Sequence, residues 1–469
     1  MAGAYCGLSV TILGIPLLGV HQMNAFLLAS ALRKLNPVGQ VIGHDHVEYD
    51  RSRRIWNGLA DRNPAAIVRA RNVDDVIKTI RVAADHGVLL AVRGGGHSLP
   101  GLSTCDDGIV LDLSAMNSVT VDSAAPVAEV GGGALLGDLD AAGARAGLVT
   151  PAGVVSHTGV AGLTLGGGMG WLSRRFGLTI DNLLGAEVVT ADGRLFWASA
   201  DSEPDLFWGL RGGGGNFGVV TKFRFRMHPL GSIVVGCWTY APSDCEKVLK
   251  GFQRLSATAP RELTTNFSFS TAGLAVTACW SGIAADAEEL VVPLGNLVQP
   301  ISGTFGNMAY VELQSRSDEL MAWGQRFYSK GGFLEKIDDA AIACMGEAIA
   351  QAPTADSDIY VLQLGGAIND IEESATPYSG RAANYYWIAS AKWKDSSHDE
   401  RCIAWGRKTA KSLAAISMEG NYINEQADFG KEVAYNAYGA EKYNRLARLK
   451  ARFDPGNLFR LNQNIAPKF

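Results

Sequence analysis

The residues best placed to do chemistry begin at 93–98, which read RGGGHS. Three consecutive glycines bare the peptide N–H groups to a phosphate or a flat ring and permit positive φ. The imidazole of His97 follows directly into that cleared space. The same letters are compatible with a tight turn and an ordinary histidine, so the loop alone does not decide. Two further glycine-rich stretches follow, GVAGLTLGGGMG at 159–170 and GGGG at 212–215. Each glycine in a helix interior costs about 1 kcal/mol, so 159–170 is expected as loops wrapping a ligand.

Regular elements must hold these loops. The apolar run at 88–92 predicts a strand that ends at the first loop, and 66–69 predicts another. Between them a helix is expected to open at Asn72, with Asp74 and Asp75 in its first turn. It carries Val76, Ile77, Ile80, Val82 and Ala83 on one side and stops at Gly87. Strand, helix, strand is a β-α-β opening. Short strands then fill 109–122 and the VAEVGGG run, a helix covers 135–146, and a hairpin turns at Ala191-Asp192-Gly193. Beyond about 230 the glycine loops thin out. Strand-like runs at 232–240, 266–270, 274–280, 359–364 and 384–393 alternate with helical ones at 284–292 and 337–351, which reads as an antiparallel sheet with helices gathered on one side. A last helix is expected at 440–453.

The chain has 469 residues, 47% hydrophobic and 19% charged, which is enough core material for two domains. Its 55 glycines exceed the usual roughly 7% and cluster between Gly94 and Gly218. Net charge is −5 with no basic stripe, which argues against a nucleic-acid partner. The seven cysteines are scattered without metal-ligand spacing, so no metal site is expected. Pairing of Cys237 with Cys245 is not favoured, and the set fits free thiols in a reducing, cytoplasmic setting. The start is apolar from Ala2 to Val20, broken by Pro16 and without a basic lead, so it matches neither a secretory signal nor a membrane span well. Export stays open, any membrane contact would come through this extension, and low order is expected for Met1 to Gln22.

Four motifs in order carry a resemblance: RGGGHS; TGVAGLTLGGGMGWLSRRFGLTIDN from Thr158; RGGGGNFGVVT from Arg211; and NYIN at 421–424 with FDPGNLFRLNQNIAP at 453–467. Together they resemble the berberine-bridge-enzyme-like family of covalent flavoproteins, over about residues 51–467. That family has the FAD domain of the p-cresol methylhydroxylase/vanillyl-alcohol oxidase (PCMH/VAO) type. The resemblance implies an α+β, two-domain flavoprotein. Residues 51–230 form an FAD-binding domain of two α+β subdomains, and 231–419 a substrate domain with an antiparallel sheet covered by helices. Residues 420–469 return to the FAD domain, and 1–50 are an extension. A dinucleotide Rossmann site fits less well, because the Gly131–Gly137 spacing is wrong for it.

By that resemblance His97 is the attachment point for the flavin 8α-methyl, giving FAD as an 8α-N-histidyl cofactor. The implied FAD contacts are Arg93, Gly94, Gly95, Gly96, Ser98, Thr158, Gly159, Gly162, Gly167, Gly168, Asn182, Gly215, Asn216, Gly218, Val220, Asn424, Asn462 and Asn464. Tyr422 holds the position of a base that takes a proton while hydride leaves the substrate. A phenol near its ordinary pKa of about 10 would need lowering by neighbouring donors or cations. Tyr385 or Tyr386 would assist, strand alternation sending only one of them into the site; Tyr386 is the choice. Trp238, Tyr240, Trp280, Trp387 and Trp393 are expected to give the pocket an aromatic lining. His157 reads as loop-shaping, and Thr158 as the small residue that admits oxygen. Relatives with a second flavin bond carry G-V-C where this chain has Gly153-Val154-Val155; valine forms no thioether, so attachment through one histidine is implied.

The reaction implied is oxidation of a CH–OH or CH–NH group of a small molecule (an alcohol, sugar or cyclic amine), with O₂ as acceptor and H₂O₂ as product. The alternatives are a dehydrogenase using another acceptor, and a flavin- or carbohydrate-binding protein with little turnover.

Overall fold

The computed structural model describes residues 20–469. Four strands form the first sheet in the order Gln40–Gly43, Ala66–Arg69, Ile109–Asp112, Leu90–Arg93. The last three run parallel, and Val73–Asp85 makes the crossover between them. That helix starts because the Asn72 side chain accepts from the Asp75 amide at 2.9 Å. Its Val76, Ile80 and Ala83 share a core with Val68 and Leu111. The strand Leu90–Arg93 thus aims its C-terminal end, and the RGGGHS loop, away from the sheet.

Five antiparallel strands form a second sheet, ordered Val119–Asp122, Val127–Gly131, Val219–Arg226, Leu183–Val189, Leu195–Ser199. The hairpin between the last two turns at Gly193 with φ 77°, as the sequence predicts. The third sheet has seven strands, all antiparallel: Ser302–Met308, Ile233–Tyr240, Gly273–Trp280, Leu263–Ser270, Asp358–Gln363, Tyr385–Trp393, Arg326–Leu334. Helices Cys245–Ala257, Ala287–Gly295, Asp339–Ile349 and Asp399–Ala414 bury one face of it around Phe252, Phe267, Trp387 and Trp405. The final helix, Lys431–Phe453, kinks at Gly439 and packs Ala437, Leu446 and Leu449 against Trp208 and Phe217 beside the second sheet. The C-terminal run therefore returns to the first half of the chain.

Three expectations need correction. Residues 20–50 are not simply an extension. Helix Val20–Lys34 packs Leu28 and Leu32 into the first core, and Gln40–Gly43 pairs with Ala66–Arg69. Apart from those helical residues 20–22, the low order expected for the start lies outside the described residues. Next, 159–170 is not all loop: Val160–Gly166 is a seven-residue helix that contains Gly162 and ends where Gly167 takes φ 140°. Finally, the edge strand Arg326–Leu334 carries no strand signature at Gly331-Gly332. A Cβ at Gly331 would lie 2.4 Å from the Tyr386 hydroxyl, and one at Gly332 2.8 Å from the Trp387 ring. The pair is bare because the neighbouring strand's aromatics lie across it.

Candidate active site

A cavity of about 620 Å³ lies between the glycine loops and the open face of the seven-stranded sheet, a volume ordinary for a cofactor or small-ligand site. One wall is nearly all main chain: Gly94, Gly95, Gly96, Ser98, Thr158, Gly159, Gly162, Gly215, Gly218 and Val220. Among the described residues, the amides of Gly95, Gly96, His97 and Ser98 donate to no protein acceptor. Four successive free N–H groups form an anion-binding concavity. Elsewhere on the wall the Oγ of Ser103, Oδ1 of Asn462 and Oε1 of Gln463 are buried without a partner. A flavin dinucleotide supplies what these atoms lack, since its pyrophosphate accepts hydrogen bonds and its ring N–H and ribityl hydroxyls donate them. The residues present fit FAD.

His97 is fixed on two sides. Its ring stacks on Trp56 with centroids 4.1 Å apart, and Trp56 stacks in turn on Phe327. Its Nε2 lies 3.1 Å from Nδ1 of His157, leaving the other nitrogen uncommitted to that partner. Burial, with His157 close by, pulls the imidazole down to about 3, so it is neutral and nucleophilic at physiological pH. The Nε2 of His157 is itself buried without a partner. Replacing His157 by alanine is therefore expected to slow loading of covalent flavin several-fold, read as yellow colour kept in an acid-washed pellet over time.

Tyr422 enters from the C-terminal segment. Its hydroxyl oxygen accepts from Gly168 N at 3.2 Å and from Asn424 Nδ2 at 2.9 Å, which leaves its own proton to donate. Asn424 Nδ2 also reaches the Gly162 and Leu163 carbonyls, tying the phenol to the short helix of the main-chain wall. Gly167 has φ 140°, and a Cβ there would press on the Tyr378 and Tyr422 rings. Glu425 follows one residue after Asn424 and lines the cavity. Burial raises its carboxyl to about 7. Burial and then Glu425 raise the Tyr422 phenol, and these outweigh its two N–H donors. The lowering that a tyrosine base needs is thus reversed.

The sheet presents alternate residues to the cavity: Asn266 and Ser268; Asp358, Tyr360 and Leu362; Tyr386, Ile388, Ser390 and Lys392. Asp358 and Lys392 pair at 3.0 Å, both less than one-fifth exposed. Tyr386 bonds the Asn421 Oδ1 at 2.8 Å and meets the Tyr422 ring edge-on. Tyr385 points the other way, to the Ser256 hydroxyl among the covering helices. Trp238, Tyr240, Trp280, Trp387 and Trp393 belong to that helix-covered core as well, so these five do not line the cavity; the aromatics the sheet does offer it are Tyr360 and Tyr386, among polar neighbours.

Residues 64–199 match the FAD binding domain family, and residues 421–466 the family described as berberine and berberine like. A curated relative, (R)-6-hydroxynicotine oxidase of Paenarthrobacter nicotinovorans, is 33% identical over 92% of this chain and 97% of its own. The chain belongs to the berberine-bridge-like family of FAD-linked oxidoreductases. Its fold is that of solved members. The 6-hydroxy-D-nicotine oxidase from Arthrobacter nicotinovorans superposes with a TM-score of 0.84 at 29% identity, covering 92% of this chain and 98% of that one. The Physcomitrella patens BBE-like 1 protein gives 0.86 at 25%, covering 94% and 99%.

Within this FAD-linked oxidoreductase, most of the implied contacts line the cavity, and six do not. Arg93 spends its guanidinium on the Ser52 and Ser103 carbonyls. Gly167 and Gly168 lie behind Tyr422 and position it. Asn182 bonds the Phe176 and Leu178 carbonyls and, at 2.6 Å, His228. Asn216 clasps the tail at Gln463 O and Ile465 N, and the Asn464 Oδ1 is buried off the cavity wall without a partner. Trp56, Ser103 and Glu425 line the cavity and lie outside the motifs, Gln463 lines it from within the last motif between Asn462 and Asn464, and His157 is more than loop-shaping because it holds His97. Two of these had a local signal: Glu425, a carboxyl directly after the NYIN run, and Gln463, between Asn462 and Asn464. The described cysteines are free, and none lines the cavity.

Proposed function

We infer that the chain is an oxidase whose FAD is attached through His97 alone, and that it oxidises a CH–OH or CH–NH group of a small polar molecule. The observation that carries the reading is the neutral, doubly clamped His97 at the glycine end of a cavity whose far side holds Tyr422 and Tyr386. Bound flavin supplies the hydride acceptor at its N5 position. The chain's part is to hold the pyrophosphate on the free amides, to seat the substrate against Tyr422 and Tyr386, and to keep water away from the reacting carbon. The polar sheet face, with Asn266, Ser268, Ser390 and the Asp358–Lys392 pair, favours a hydroxylated or amine-bearing substrate over a greasy one. Val155, where a cysteine would give a second flavin bond, supports single attachment.

Dioxygen is the proposed acceptor, supported by the relative named an oxidase and by the modest size of Thr158 on the cavity wall. The test is to bleach the flavin anaerobically with a panel of alcohols, sugars and cyclic amines, then admit either air or a dye. Rapid return of the oxidised spectrum in air, with one H₂O₂ per substrate, is the expected result. Return only with the dye would make the enzyme a dehydrogenase. A protein that carries flavin but is never bleached would be a binder.

A further inference from the structure

The carboxyl of Glu425 stands in the cavity with no assigned task. It closes the short turn Ile423–Glu425, its amide donating to the Tyr422 carbonyl, so it is held on the same loop as that phenol. Among the described residues its side chain makes no hydrogen bond and no ion pair. Three phenols from three segments feel its charge: Tyr422 of its own loop, Tyr360 of Asp358–Gln363 and Tyr386 of Tyr385–Trp393. Asp358 adds its charge to that of Glu425 at Tyr360. The lining cations are engaged elsewhere, Arg316 against Cys237 Sγ at 2.9 Å and Lys392 with Asp358. His97 is neutral at the opposite, glycine-lined end. An unpaired acid that lines one cavity with three phenols is not a structural ion-pair partner. It is placed as a proton acceptor beside two phenols, Tyr422 and Tyr360, whose protons are free to be donated to a substrate.

Resting on the oxidase reading above, we propose that Glu425, rather than Tyr422, takes the proton released when the substrate is oxidised. The substrate O–H (or N–H) bond breaks and its proton passes to the Glu425 carboxylate. The C–H bond breaks with its electron pair, which goes to the flavin as hydride, and the C=O (or C=N) bond forms. Tyr422 stays protonated and orients the substrate heteroatom, while Tyr386 keeps its proton on Asn421 Oδ1. Burial, the one influence that sets the carboxyl near neutrality, places its titration where a base must switch.

Glu425→Gln keeps the shape and removes the base. Its rate of flavin reduction at neutral pH should fall by about 10²–10⁴-fold, and the rise of that rate with pH through neutrality should vanish. Tyr422→Phe should be slower but keep that pH limb. Infrared difference spectra between the wild-type and Glu425→Gln holoproteins, taken across neutral pH without substrate, should contain one protonated-carboxyl stretch that titrates there. If Glu425→Gln keeps both rate and limb, or the limb leaves with Tyr422→Phe, the proposal is overturned. It is equally overturned if no such stretch titrates. Failure of every substrate to bleach the flavin would instead strike the oxidase reading, and the infrared result would still decide whether Glu425 is the titrating acid.

Discussion

Replacing His97 with alanine is expected to abolish covalent flavin outright: the acid-washed pellet turns from yellow to colourless, and the colour moves to the supernatant. The expectation rests on which nucleophile the cavity offers. No described cysteine lines it, and the other nitrogenous side chains on the wall are the non-nucleophilic indoles of Trp56 and Trp171, the amides of Asn266, Asn424, Asn462 and Gln463, the ion-paired Lys392 and the engaged Arg316. His97 alone is a neutral imidazole, half-buried and held by Trp56 and His157. The variant should still bind flavin, since the four free amides and the tail carboxamides belong to the backbone and to other residues. A wild-type pellet already colourless would mean that His97 contacts the cofactor without bonding to it. In protein prepared without flavin the same burial has a stability signature. The folded imidazole resists protonation down to about pH 3, while the unfolded one takes a proton below its ordinary 6.5. Stability therefore falls as pH drops through that window, and the alanine variant should lack that share of the acid sensitivity.

The parts of the site legible in the sequence are those where a residue type had one physical use. Three glycines before a histidine served a bare wall, and strand alternation correctly sent only one of Tyr385 and Tyr386 inward. The same alternation, followed further, puts Trp387 and Trp393 on the side of Tyr385, and Ile388, Ser390 and Lys392 on that of Tyr386. The five rings expected in the pocket besides Tyr386 were misplaced because residue type was weighed above parity. Trp56 and His157 were illegible for another reason. Each matters through a ring contact with His97 across long sequence separation, and nothing in IWNG or VSHT records that. Gly331-Gly332 hid a strand because the reason for those glycines lies in the neighbouring one. Tyr422 was found by its motif, but its protonation depends on the charge of Glu425 and on burial, which no motif carries.

Lys450→Met is expected to lower stability by about 3–5 kcal/mol and to loosen FAD, although Lys450 touches no part of the cavity. Its ammonium, with no exposed surface, donates to Asp454 Oδ2 and Asn216 O at 2.7 Å and to Phe459 O at 2.8 Å. Asp454 in turn accepts the Leu458 and Phe459 amides, both at 2.8 Å. One buried ion pair thus ties the last helix, the third glycine loop and the turn that leads to Asn462 and Gln463. Methionine fills the space of the lysine stem but leaves a buried carboxylate uncompensated and the Asn216 carbonyl unpaired, the Phe459 carbonyl keeping Asn462 Nδ2, which is the costly way to break such a pair. Denaturant unfolding would read the loss. Flavin fluorescence released from a Lys450→Met variant that also carries His97→Ala would read the slackened wall, free of the covalent tether. Adding Asp454→Asn should recover part of the stability, because the amide removes the stranded charge and keeps an acceptor for one of the turn's N–H groups. If the single variant loses less than about 1 kcal/mol, water reaches the carboxylate and the tail is held chiefly by Asn216, whose side chain bonds Gln463 O and Ile465 N.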